Sequence, residues 1–146
     1  MVSRPVFSLP IRVYIEDTDA GGIVFHAKYL HYMERARTEW LRSLGISLRA
    51  GLGEDVNYVV QQLDIRYLMP ARLDDLLRTT AALDTAGRAS FVFHQQVIRD
   101  RDDQLLAEAR VRVACVGFVS GRPRRLPSEL QRALAEFQSD STKHQN

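Results

Sequence analysis

The chain has 146 residues, 45% apolar and 26% charged, which fits one compact domain able to bury its own core. Twenty basic residues against 18 acidic leave a net charge of +2, which gives no ground for a nucleic-acid or anionic-membrane partner. The single cysteine, Cys115, cannot form an internal disulfide. The N-terminus lacks a signal-peptide pattern, and no run approaches the ~20 apolar residues of a membrane span, so a cytoplasmic chain is expected.

In chain order, IRVYI at 11–15 reads as a strand bounded by Pro10 and by the Asp-Gly cluster at 17–22. A long helix is predicted from about Ala27 to Leu44. Leu30, Met33, Ala36, Trp40, Leu41 and Leu44 form its apolar stripe, and Gly45 is placed to stop it. Arg37 falls inside that stripe. It should either pair with Glu34, three residues earlier, or run its stem out to solvent. Leu63, Ile65 and Tyr67 alternate with Gln62, Asp64 and Arg66 as a half-buried strand that Pro70 ends or bends. LLRTTAALDT, SFVFHQQVI and LLAEARVRVACVGFV follow as three strands joined by short turns, and Cys115 in the last of them reads as a small buried filler. After the loop SGRPRRLP, Ser128 and Gln131 suggest a capping box opening a short helix with Leu130, Leu134 and Phe137 on one side. Residues 139–146 read as a frayed tail.

Strand, long helix, four strands, short helix is not the alternation of a parallel α/β sheet. It predicts an α+β domain, residues 1–146, with one amphipathic helix laid on an antiparallel sheet of about five strands. The uncovered face and edges of such a sheet should seek cover in a second copy of the chain.

Common catalytic signatures are missing: there is no G-x-S-x-G, H-E-x-x-H or C-x-x-C. His26 and His31 diverge by about 140° on a helix and would not readily share a metal. Gly21–Gly22 lacks the lysine and spacing of a phosphate loop. What remains is EDTDAGG, residues 16–22. As a calcium loop it fails, with Gly21 at the fifth position and Lys28 where the closing acid belongs. As the D-x-D of an aspartyl phosphatase it lacks the parallel sheet and the companion motifs. Asp17 and Asp19 can also be plain turn or cap residues.

The sharper reading pairs Asp19 with the unpaired N–H groups at the start of the long helix, around His26. Gly21 and Gly22 would let a ligand come close between them. A carboxylate opposite oriented N–H donors is the equipment of acyl transfer. It suits a thioester, whose leaving thiol, with a pKa near ~8.5, departs without much acid help. An aspartate, pKa ~3.9, needs no base to activate it. Tyr29 is placed near this site or in the core. Arg122, Arg124 and Arg125 are candidates for coenzyme A phosphates, the alternative being a solvated basic loop.

The stretch RVYIEDTDAGGIVFHAKYLHYMERARTEWL, residues 12–41, resembles the acyl-CoA thioesterases of the 4-hydroxybenzoyl-CoA thioesterase superfamily, in particular the YbgC-type branch. The shared pattern is D-x-D-x-G-G-x-V-x-x-x-x-Y-L running on into E-R-A-R-T-E. The resemblance implies the hotdog fold across nearly the whole chain, with sites assembled in a homodimer or homotetramer. It makes Asp19 the catalytic nucleophile or general base and the His26 N–H the group that polarises the thioester carbonyl. The His26 imidazole either orients water or thioester, or only fills space. No metal or cofactor is implied. Family members acting on 4-hydroxybenzoyl-CoA carry Pro-Ala at Ala20–Gly21 and tyrosine at His26, so short to medium aliphatic acyl-CoA, or an acyl carrier protein, is the expected partner. The alternative is a non-catalytic hotdog protein that binds acyl carriers or partner proteins.

Overall fold

The structure is a computed structural model that describes residues 6–46 and 56–144, with side chains to residue 136. Strand β1 (Phe7–Arg12) leads through a 3-10 turn (Ile15–Asp17) to helix α1 (Lys28–Ser43). Then come β2 (Asn57–Tyr67), β3 (Leu76–Ala86), β4 (Ser90–Arg99), β5 (Gln104–Val116) and helix α2 (Ser128–His144). The five strands form one antiparallel sheet in the order β1-β3-β4-β5-β2. The expected order and α+β hotdog architecture are met, and α1 lies against β1, β3 and β4.

Element boundaries differ from expectation at both ends of the chain. β1 begins earlier and contains Pro10 instead of stopping at it. β1 is an edge strand with one neighbour, β3, so a residue without an N–H costs no ladder bond on the open side. Ile15 leaves the strand for the 3-10 turn and stands 76% exposed. At the far end α2 reaches His144, so its backbone takes in most of the expected tail. The Phe137 side chain and residues 145–146 lie outside the described residues. The Ser128–Gln131 capping box gives way to a different closure: Gln131 N–H donates to Pro127 C=O, and its side-chain amide to Leu126 C=O.

Through the middle of β3, β4 and β5 odd-numbered residues face α1, with Phe93 opposite Val111 and Leu83, and register shifts after Leu83 and Val97 change the parity beyond it. Trp40 meets Phe93 edge-on at 5.1 Å in the centre of the core. Gly45 ends α1 at φ +81°, a conformation a β-carbon resists. Cys115 is fully buried, and burial pushes its thiol above its usual range, which suits packing and not reactivity.

Arg37 takes neither expected course. It is 8% exposed, and it donates across the core to Gln95 Oε1 at 2.9 Å. Burial lowers its pKa, with Glu34 acting in the opposite direction. Gln95 in turn donates its amide N–H groups to Met33 C=O and Thr80 C=O, both at 3.0 Å. One amide thus satisfies the helix, the sheet and a buried cation together.

The other sheet face does not seek apolar cover. It carries His94–Glu108–Arg66, Arg110–Asp84 and Arg78 with Asp100 and Asp103, a set of ion pairs suited to water. The unpaired edge of β2 is a separate matter. There Val59 and Val60 are 37% and 50% exposed beside a backbone with an open hydrogen-bonding side.

Replacing Gln95 with leucine strands the Arg37 guanidinium and two carbonyls. The Gln95→Leu protein is expected to lose about 2–3 kcal/mol of stability, read as a lower denaturant midpoint at unchanged slope.

Candidate active site

The segment between β1 and α1 is a small hairpin held at both ends by backbone bonds. Asp19 N–H donates to Ile23 C=O at 2.9 Å, Phe25 N–H to Asp17 C=O at 2.9 Å, and Thr18 bridges Val24. Val24 N–H reaches over to Ala71 C=O at 2.9 Å and ties the hairpin to the start of β3. At the tip, Gly22 N–H donates to Asp19 C=O, and Gly22 takes φ +81°, so this turn needs a glycine there. Gly21 has a different role: a β-carbon on it would stand 3.2 Å from Asp19 Oδ1.

The two aspartates separate cleanly. Asp17 is 7% exposed, accepts Tyr14 N–H at 3.0 Å, and lies 3.7 Å from Lys28 Nζ. It is a buried brace between the 3-10 turn and the first turn of α1. Asp19 is exposed, and its Oδ1 accepts Gly21 N–H at 2.8 Å. One oxygen of the carboxylate is thus bonded within its own loop. Its other oxygen, Oδ2, has no donor among the described residues.

The helix start has the expected open donors. Lys28 N–H closes a turn onto Phe25 C=O at 2.9 Å. The N–H groups inside that turn, of His26 and Ala27, find no acceptor among the described residues. The His26 ring is exposed, 4.4 Å from the Phe25 ring and edge-on to Tyr67 at 6.4 Å. It makes no hydrogen bond or ion pair among the described residues, so no imidazole–Asp19 contact exists in one protomer.

Two expectations about substrate contacts change. Tyr29 is 3% exposed, and its hydroxyl accepts Ala71 N–H at 2.9 Å. It anchors the loop before β3 and offers no surface to a ligand. Arg122, Arg124 and Arg125 are exposed but lie at the opposite end of the sheet. Arg124 N–H donates to Cys115 C=O and Leu126 N–H to Arg88 C=O, beside the β3–β4 turn. Asp19 is beside the beginning of β3, a strand of eleven residues and so about 35 Å long. Conversely, the structure brings to the site a residue that no motif points to, Tyr67. Its hydroxyl donates to His26 C=O at 2.8 Å across 41 residues of sequence. The only sequence signal for it was its place in the Leu63–Ile65–Tyr67 alternation.

A five-stranded antiparallel sheet packed on one long helix, with open donors at the helix start and a carboxylate on the preceding loop, is the architecture of a hotdog domain equipped for thioesters. The thioesterase-like superfamily pattern matches residues 13–134. The chain is 43% identical over 136 residues to the acyl-CoA thioester hydrolase YbgC of Escherichia coli O6:H1, covering 93% of this chain and 98% of that one. It is 44% identical over 129 residues to the acyl-CoA thioesterase YbgC of Haemophilus influenzae, covering 88% and 93%. In three dimensions it superposes on the Synechocystis 1,4-dihydroxy-2-naphthoyl-CoA thioesterase Slr0204 with a TM-score of 0.83 over 92% of this chain and 98% of that one. At 24% identity, that likeness concerns the fold alone. The chain belongs to the thioesterase-like superfamily and, within it, to the YbgC acyl-CoA thioesterases.

Removing the Tyr29 hydroxyl leaves the buried Ala71 N–H without an acceptor. Tyr29→Phe is expected to cost about 1–2 kcal/mol. Amide exchange should show Ala71 losing protection ahead of the sheet.

Proposed function

We propose that this acyl-CoA thioester hydrolase cleaves short to medium aliphatic acyl-CoA, with Asp19 as the reacting carboxylate and the His26 N–H as oxyanion donor. The observation that carries the reading is that one hairpin holds both halves: a carboxylate oxygen with no protein donor, and helix-start N–H groups with no protein acceptor, among the described residues. Ile23, opposite Asp19, is three residues from His26, a span of about 10 Å. A thioester lying between them would have its carbonyl oxygen at the N–H groups and its carbon open to Asp19. The helix dipole and N–H donors stabilise the charge that develops on that oxygen. Asp19 either attacks the carbonyl carbon, expelling CoA thiolate and leaving an anhydride for water to cleave, or removes a proton from the attacking water. Either route ends in free acid and CoA. Single turnover in ¹⁸O-water identifies the anhydride route when water attacks its Asp19 carbonyl, since only that attack puts label in the Asp19 carboxylate.

The Asp19–Gly21 hydrogen bond favours the second reading, a non-catalytic acyl-carrier or partner-binding hotdog. It engages one oxygen and steadies the side chain, while the second oxygen remains available. Kinship with named hydrolases weighs against loss of turnover.

A homodimer supports the reading better than a monomer. If two β2 edges pair antiparallel about a two-fold axis, the Tyr67 end of one strand meets the Asn57 end of the other. The arginine loop stands at that Asn57 end, because Asn57 pairs with Val116 and Tyr58 with Cys115. Arg122, Arg124 and Arg125 of the second copy would then stand near Asp19 and His26 to receive the CoA phosphates. A cavity of about 360 Å³ between α1 and β2, lined by Glu34, Arg37, Thr38, Leu41, Tyr58 and Val60, would come to the same place with a wall part polar and part apolar.

Asp19→Asn is expected to lower thiol release across an acyl-CoA panel at least 100-fold with the fold intact; an unchanged rate would remove Asp19 from the chemistry. Arg122→Ser with Arg125→Ser should raise KM for acyl-CoA and leave kcat nearly unchanged. Mixing these two inactive or weakened proteins tests the dimer. Subunit exchange should restore sites of normal KM, because one mixed site combines an intact Asp19 with intact arginines. No recovery on exchange would place both groups in one protomer's site.

A further inference from the structure

The Tyr67 hydroxyl stands beside the acyl-transfer groups without belonging to either half. β2 is built so that this side chain faces α1. Tyr58 and Val60 lie opposite Cys115 and Val113 on the α1 side of the sheet. An irregularity between Val60 and Gln62 then inserts one residue, and Leu63, Ile65 and Tyr67 continue on that side opposite Val111, Ala109 and Ala107. Without the inserted residue Arg66 would take this position, and Tyr67 would turn to the ion-paired face.

Once there, the ring is held from two directions. It is edge-on to Tyr29 at 5.4 Å and 75°, and to His26 at 6.4 Å and 90°. Tyr29 is itself pinned by Ala71 N–H. From this seat the Tyr67 hydroxyl donates to His26 C=O at 2.8 Å. That carbonyl and the Ala27 N–H belong to one planar peptide, so holding the oxygen sets the direction of the N–H. The preceding peptide, Phe25 C=O with His26 N–H, is held in the same manner by Lys28 N–H at 2.9 Å. Both open donors therefore sit on peptides whose carbonyls are already bound. Burial raises the Tyr67 pKa, so the phenol remains a neutral donor.

We infer that Tyr67 is a positioning residue of the thioesterase reaction: through the His26 carbonyl it orients the Ala27 N–H, beside the His26 N–H that the Lys28–Phe25 bond orients, toward the oxygen that becomes negative. The inference rests on the assignment of those N–H groups as oxyanion donors above. Donors already aimed at the developing charge need no reorientation as the transition state forms, so loss of the hydroxyl acts on kcat and not on ground-state binding.

Tyr67→Phe keeps the ring and its edge-on contacts, and because Tyr67 is 46% exposed and His26 is exposed as well, water can reach the freed carbonyl. The expected result is a kcat about tenfold lower, with KM within about twofold and an unchanged thermal midpoint. A kcat within twofold of wild type while Asp19→Asn is inactive overturns the inference and leaves the site assignment standing. A fall in thermal midpoint with a raised KM also overturns it, making Tyr67 a residue of the fold. If Asp19→Asn is fully active as well, the site assignment itself fails, which the Tyr67→Phe result alone could not produce.

Discussion

Ala71 is the point on which the functional end of the molecule depends. It is completely buried, its C=O accepts Val24 N–H, and its N–H is taken by the Tyr29 hydroxyl. The Asp19 hairpin and the first turn of α1, neighbours in sequence, are both joined at this one residue to the approach to β3, 42 residues beyond Tyr29. A buried backbone group left unpaired costs more than an ordinary hydrogen bond contributes, so these bonds leave little freedom to the elements they join. The hairpin cannot swing away from the helix without opening one of them.

The same pressure to satisfy buried polar groups governs the middle of the fold. Arg37 lies in a helix stripe that must be buried, and an unpartnered guanidinium there would be destabilising. Gln95 resolves this from the sheet side as a neutral partner, while tying Met33 and Thr80 into the same contact. The helix is thereby held to the sheet by hydrogen bonds as well as by apolar packing. That matters for a site that uses the helix start as a fixed electrostatic element.

Within one protomer, the carboxylate end and the arginine end lie at opposite ends of an eleven-residue strand. No motion short of unfolding brings them together. The proposed pairing of β2 edges resolves the separation by symmetry: an antiparallel pair places unlike ends together twice. It would also cover the one sheet edge that exposes Val59 and Val60, while the charged face stays in water.

Much of the fold was legible in the residues because it rests on local periodicity. The α1 stripe, the positive-φ stop at Gly45, the short turns joining β3, β4 and β5, and the glycine at 22 all follow from spacings of a few residues. Asp19 and the open N–H groups at His26 were also within reach, since they sit on one continuous stretch. Three features were not legible. The Arg37–Gln95 bond spans 58 residues, the Tyr67–His26 bond 41, and the inserted residue in β2 shifts which side chains share a face. The hydrogen bond that Asp19 accepts within its own loop also escaped, because the choice between a neighbouring N–H and open solvent is made by loop geometry. Sequence determined which elements form and which chemical groups they carry; only the packing of distant segments decided where those groups point, because side-chain direction follows from register and burial, which no local spacing encodes.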